Sequence, residues 1–171
     1  HGMIGQDLPM SRLVPSAIET LGNRHVLAIA MGHEHTIVLT DEGVVLSFGY
    51  GGFGALGHGD LENQLTPKVV EALRGRRVVA ISAGAKQSLV FTDDGAVLSC
   101  GSRCTGVYRR CQYEMEVVEA LRDVHVVSGY TRYESWQVGM RTMVLTDEGV
   151  VLSLDDGKKD TTLWTLARLR W

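Results

Sequence analysis

The 171-residue chain is short of proline and cysteine, with three of each, and aromatic residues make up only 6% of it. Cys100, Cys104 and Cys111 form an odd set within one short stretch, which argues against a disulfide framework and for a reducing compartment. An intracellular protein, cytoplasmic or nuclear, is therefore expected. The same spacing does not suit a structural zinc site, which takes four ligands in paired positions. No apolar run approaches the roughly 20 residues of a membrane span, and the opening HGMIGQ lacks the apolar region of a signal peptide. Residues 1–3 read as a tag remnant, and no membrane partner is expected. Net charge is only −3, with both signs interspersed, so no basic face announces nucleic acid. No nucleophile elbow, P-loop or H-E-x-x-H motif occurs, so no catalytic residue is assigned and no enzyme is expected.

Glycine, by contrast, is abundant at 20 residues, above an average usage of about 7%. Much of it punctuates a repeat. Residues 35–49, HTIVLTDEGVVLSFG, return as SLVFTDDGAVLSCG at 88–101 and as TMVLTDEGVVLSL at 142–154. Each copy is two short runs rich in Val, Ile and Leu joined by Thr-Asp-Glu/Asp-Gly, the pattern of a hairpin with a compact loop. In that loop Asp41, Asp93 and Asp147 can accept backbone N–H bonds. Gly43, Gly95 and Gly149 fall where φ must be positive, as in a type I turn followed by a G1 bulge. An acidic pair repeated at every tip is explained by turn geometry, whereas an active site needs one asymmetric constellation, so these residues are read as structural.

The repeat extends upstream with a constant offset of 52 residues: Ile4-Gly5 answers Leu56-Gly57, Pro15 answers Pro67, and His25-Val26-Leu27-Ala28-Ile29 answers Arg77-Val78-Val79-Ala80-Ile81. A period of about 50 residues is that of a propeller blade. One unit reads as four strands, near residues 69–73, 78–82, 88–92 and 96–100, whose near-continuous apolar runs suit sheets packed on both faces. The fold class is all-β, about three blades of four antiparallel strands. The units are placed at 4–55, 56–107 and 108–171. In the last, Leu163, Leu166 and Leu169 fit helical spacing, but a blade-opening strand suits the register better, and a strand or cap is expected there.

Residues 49–59, GYGGFGALGHG, contain G-x-G-x-x-G after a strand, yet a proline and no helical pattern follow, so no cofactor is assigned. Phe53-Gly54-Ala55-Leu56-Gly57-His58-Gly59-Asp60, then Pro67, then Val79-Ala80-Ile81-Ser82-Ala83-Gly84 and Ser88, resemble the RCC1-type repeat (regulator of chromosome condensation). The resemblance is strong over residues 4–101 and weaker beyond. It implies blades of a propeller that closes with seven in that family, of which this chain would hold a part. It also brings forward the family's founding activity, guanine-nucleotide exchange on a small Ran-type GTPase by means of a projecting β-wedge, which no residue here matches. The third copy departs most: Leu154-Asp155 stands where the first has Phe48-Gly49 and the second Cys100-Gly101, its leading loop is shorter, and it carries six extra residues around 130–136.

Two surface loops outside the repeat pattern concentrate Tyr, Trp and Arg, the residues of interaction hot spots: Tyr108, Arg109, Arg110 and Tyr113 in one, Tyr130, Arg132, Tyr133 and Trp136 in the other. His33, His35 and His58 lack an acidic or sulfur partner at ligand spacing and are read as packing and loop residues, with no metal. The expected function is a non-enzymatic protein–protein interaction module within a larger protein or assembly. The alternatives are an exchange factor, with a small GTPase as partner, and a structural fragment without a partner of its own. Three units do not close a ring, so further blades from a longer chain or a homo-oligomer are expected to cover the ends.

Overall fold

Apolar runs of five to seven residues, too short and too β-branched for helices, become strands wherever Thr-Asp-x-Gly or a glycine-rich loop lets the chain reverse. A computed structural model describes residues 17–102, 111–135, 139–156 and 164–168. They form three antiparallel sheets of four strands, each ordered consecutively. The first contains β1 (Val26–Met31), β2 (His35–Thr40), β3 (Val45–Gly49) and β4 (Gln64–Val69). The second contains β5 (Val78–Ala83), β6 (Gln87–Thr92), β7 (Val97–Ser102) and β8 (Cys111–Val117). The third contains β9 (Val126–Ser135), β10 (Gly139–Thr146), β11 (Val151–Asp156) and β12 (Trp164–Arg168). No helix among the described residues is long and apolar enough to cross a membrane.

Two local expectations are corrected. Residues 69–73 do not open the second blade as a strand. The strand is β4, which pairs with β3 and closes the first sheet, and Glu71–Leu73 is a 3-10 turn. The same turn recurs as Glu119–Leu121 after β8. Val70 N–H donates to Val45 O (2.9 Å) and Val118 N–H to Val97 O (2.8 Å), so each turn stays tied to the sheet it leaves while Leu73 or Leu121 enters the core. The first two sheets thus take their outer strands from the next sequence unit. At the C-terminal end the strand reading is met by β12, which pairs with β11.

The second correction concerns the hairpin tips. Gly43, Gly95 and Gly149 have φ of 77°, 82° and 76°, and each donates its N–H to Thr40, Thr92 or Thr146. The tip hydrogen bonds expected of Asp41, Asp93 and Asp147 are instead made by other groups. Thr40 Oγ1 accepts from Val44 N–H (3.2 Å) and Thr146 Oγ1 from Val150 N–H (3.1 Å). In the second tip Asp94 accepts from Thr92 Oγ1. The three aspartates use their backbone N–H, donated to His25, Arg77 and His125 at the head of the same sheet.

The sheets stack face to face, β5 lying against β1 and β2, and β9 against β5 and β6. One core cluster gathers Leu39 and Val45 of the first sheet with Val78, Val90 and Leu98 of the second. The other gathers Leu89, Phe91 and Val97 of the second with Val126 and Val144 of the third. Successive residues of β6 therefore serve opposite neighbours, which is why β6 and β7 are buried throughout. Each such side chain contributes about 1.5–3 kcal/mol on burial. The exposed Arg74–Glu71 and Arg122–Glu119 pairs add at most about 1 kcal/mol apiece, so packing between blades dominates. Backbone bonds register the stack: Val78 N–H donates to Gly43 O (3.3 Å), Val126 N–H to Gly95 O (3.2 Å), and Thr131 N–H to Ser82 Oγ (3.1 Å). At the inner strand of every sheet Leu27, Val79 or Val127 sits at a break in register and turns outward.

Candidate interaction surface

Between β3 and β4 the connector of residues 50–63 has almost no regular structure, so its shape depends on side chains that hold its carbonyls. Ser47 Oγ donates to Leu56 O (2.7 Å) and lies 3.0 Å from His58 Nε2. Ser88 Oγ donates to Ala55 O (2.8 Å) and lies 2.9 Å from His35 Nε2. A serine hydroxyl has one proton, and in both cases it is directed at a carbonyl. Each imidazole must then donate from Nε2, which fixes the tautomer and leaves Nδ1 without a proton in the neutral ring. Burial pushes His35 down to about 4, partly opposed by the Gln87 backbone, so this ring stays neutral in the fold. His58, half-buried, is lowered by burial and by Lys68, against the opposing charge of Asp60.

The space for His35 depends on Gly32, where a Cβ would stand 2.2 Å from the imidazole Cε1. In the second blade Gln87 takes the place of His35, buried, with neither amide atom bonded among the described residues. Cys100, where the first copy has Phe48, donates its thiol toward Ala55 O (3.4 Å), and burial pushes that thiol up to about 12. It is a packing residue rather than a nucleophile.

With residues 55 and 56 drawn inward, the preceding turn leaves Tyr50 and Phe53 half-buried. Tyr50 and Phe53 meet edge to face at 5.4 Å, and Lys86 Nζ, from the β5–β6 turn of the next blade, stands 4.0 Å from the Phe53 ring centroid. Tyr113, exposed on β8, lies against Gly54, and Gly59 N–H donates to Tyr113 O (2.9 Å). Leu61 is exposed beside Gly51. The outcome is a patch of aromatic, aliphatic and cationic groups across two blades.

Of the residues singled out in the sequence, Tyr113 thus belongs to this patch, on the outer strand of the second sheet. Tyr130 is exposed on β9, the inner strand of the third, so the two tyrosines lie at opposite edges of their sheets. Tyr130, Arg132 and Tyr133 are not in a loop: the six extra residues lengthen β9 by four and β10 by two, with Arg132 opposite Arg141 and Tyr133 opposite Met140. Tyr108, Arg109, Arg110 and Trp136 lie outside the described residues. Sequence reading missed Tyr50, Phe53 and Lys86. The available signal was the pair of aromatics set among glycines, where no core requires them. His33 does not share a face with His35: it is exposed in the β1–β2 turn, its N–H donating to Ala85 O (3.1 Å). No three His, Cys, Asp or Glu among the described residues are placed to hold a metal ion.

Four-stranded antiparallel sheets, stacked face to face with the first two hairpin tips each bonded to the head of the next sheet, are blades of a β-propeller. The family model described as "Regulator of chromosome condensation (RCC1) repeat" matches residues 42–91, and a second of the same description matches residues 22–55. Residues 22–91 are thus RCC1-like repeats. The chain is 39% identical to human E3 ubiquitin-protein ligase HERC2 over 102 residues, covering 58% of this chain and 2% of that protein. To the ultraviolet-B receptor UVR8 of Arabidopsis thaliana it is 34% identical over 101 residues, covering 59% and 23% respectively. The chain therefore spans less than a quarter of these curated relatives. Among solved structures, human WBSCR16 matches with a TM-score of 0.75 at 21% identity, over 98% of this chain and 44% of that one. Yeast RCC1 (Prp20), solved bound to Kap60, matches with 0.71 at 20% identity, over 96% and 42%. At such identities the likeness concerns the fold.

Proposed function

We propose that this chain is a non-catalytic protein-binding module that engages its partner through the connector side of its first two blades. The observation that carries this reading is the half-buried Tyr50–Phe53–Lys86 cluster on a connector held by two histidine–serine–carbonyl relays. Aromatic anchors held in place before binding lose little conformational entropy when a partner arrives, and this is what makes such residues hot spots. Tyr113 and Leu61 extend the patch, and Tyr108, Arg109 and Arg110 precede Tyr113 in the chain. The alternative, nucleotide exchange on a small GTPase, draws on likeness to yeast Prp20, whose structure is reported with its binding properties to Gsp1p and histones. That likeness is one of fold, at 20% identity.

The test is affinity capture from cell extract, quantified protein by protein, with purified Gsp1p and core histones as defined probes. It compares the unaltered chain, a Tyr50→Ala/Phe53→Ala/Tyr113→Ala variant and an Arg109→Glu/Arg110→Glu/Trp136→Ala variant. The first variant is expected to lose at least one captured protein by about tenfold or more at an unchanged melting temperature. Equal capture by the first variant and the unaltered chain refutes the connector patch. Loss confined to the second would move the site to the other candidate loops.

A further inference from the structure

Hydroxyl side chains in this protein are mostly internal. Among the serines and threonines whose surroundings are described, Thr20 and Thr66 alone are exposed; Ser128 and Ser153 are half-buried and the rest are buried. Thr66 is also the one serine or threonine of the chain that precedes a proline. It lies on β4, at the edge of the first sheet. Gly49 pairs with Gln64 and Ser47 with Lys68, so that Leu65, Thr66 and Pro67 stand opposite the single residue Phe48 and bulge from the ladder. Proline is admitted there because a bulge on an edge strand asks for no ladder N–H, and it confines the residue before it to an extended backbone. Among the described residues no hydrogen bond engages the Thr66 hydroxyl.

The second blade shows that this place accepts negative charge. β8 bulges at the same register, with Tyr113, Glu114 and Met115 opposite Cys100, so Glu114 stands where β4 has Thr66. Glu114 is exposed, and a Cβ on Gly59 would stand 3.0 Å from its Oε1, yet β8 keeps the pairing with β7 that β4 keeps with β3. Two residues beyond Thr66, Lys68 is exposed and supplies a positive charge on the same strand.

We propose that Thr66 is a phosphorylation site for a proline-directed protein kinase. Thr66 Oγ1 attacks the γ-phosphorus of ATP, the bond from that phosphorus to the β,γ-bridging oxygen breaks, ADP leaves, and the hydroxyl proton passes to the catalytic aspartate of the kinase. An exposed, extended segment at a sheet edge can enter a kinase cleft without the blade opening. Pro67 suits an apolar pocket at the following position because it brings no N–H that would lose its partner there. The product carries about −1.5 to −2 charge at pH 7 where the second blade holds a carboxylate. The phosphate therefore alters the charge of the blade edge rather than its fold, and is read by arginine or lysine of a partner.

The test incubates the folded chain with ATP and a mitogen-activated protein kinase as the proline-directed enzyme, and maps phosphate by mass spectrometry. A free peptide of residues 61–71 is the reference. Thr66 of the folded chain is expected to take phosphate at a rate within about tenfold of the peptide, because no unfolding has to come first. Thr66→Val should abolish the product, Pro67→Ala should slow it by about tenfold or more, and Thr20→Val should leave it unaltered. Thr66→Glu should melt as the parent does. If Pro67→Ala disturbs the fold, the same change in the peptide supplies the comparison. A folded chain that takes no phosphate at Thr66, whether or not the peptide does, overturns the proposal. So does a product that survives Thr66→Val, a rate indifferent to Pro67, or a Thr66→Glu chain that melts well below the parent.

Discussion

Gly43, Gly95 and Gly149 share one backbone conformation but not one environment, and the difference separates two costs usually seen together. An added side chain at positive φ costs about 1–2 kcal/mol through the backbone alone. At Gly95 the new Cβ would also stand 2.6 Å from the His125 ring, while at Gly149 it meets nothing. Gly95→Ala is therefore expected to lower stability by about 1 kcal/mol or more beyond Gly149→Ala, read from denaturant melts; equal losses would mean the tip does not abut the next blade. His35 gives a second effect at this scale. Its folded pKa of about 4 lies below the ordinary 6.5, so below pH 6.5 the unfolded chain binds a proton that the folded one does not. The stabilisation is complete above that value and is lost as pH falls toward 4, by about 2 kcal/mol at pH 5. Replacing His35 with Gln, the residue of the second copy, should flatten most of the change in melting temperature between pH 7 and 5. An unchanged slope would place the titrating group elsewhere.

Among the elements, the hairpins were the most legible, because the period-two apolar pattern and the Asp-x-Gly signal agree. The strand near residues 64–69 was misplaced because Val69-Val70 reads as strand and the 3-10 turn after it leaves no mark beyond Glu-Ala-Leu, which suits several conformations. Its partner is also non-local: β4 reaches back across the connector to β3, a choice set by stacking rather than by local propensity. The insertion at 130–136 was read as a loop since it breaks the period. Yet β-branched and aromatic residues on both sides of a hairpin can extend the ladder, as β9 and β10 do through Ser135 opposite Gly139. The connector patch was the least legible part of the site. Its glycines announced turns, but which carbonyls face inward depends on Ser88, a residue 33 positions from the Ala55 carbonyl it holds. His35 adds the link from the preceding blade, 53 positions from Ser88.

At the scale of the molecule one act is repeated at both described junctions: Gly43 and Gly95 pass their carbonyls to the head of the next sheet, and Leu39 or Phe91 beneath the tip fills the space between the blades. Stability then resides in the junctions more than in any single blade, as in other repeat arrays. Residue-resolved amide hydrogen exchange at Val78 and Val126 tests this most directly, because their N–H groups point away from their own hairpin partner and toward Gly43 O and Gly95 O of the preceding blade. The account predicts that both amides exchange with the slow core amides of β6, opening only when a junction separates. Exchange of either at the rate of an open loop, while β6 stays protected, would contradict it.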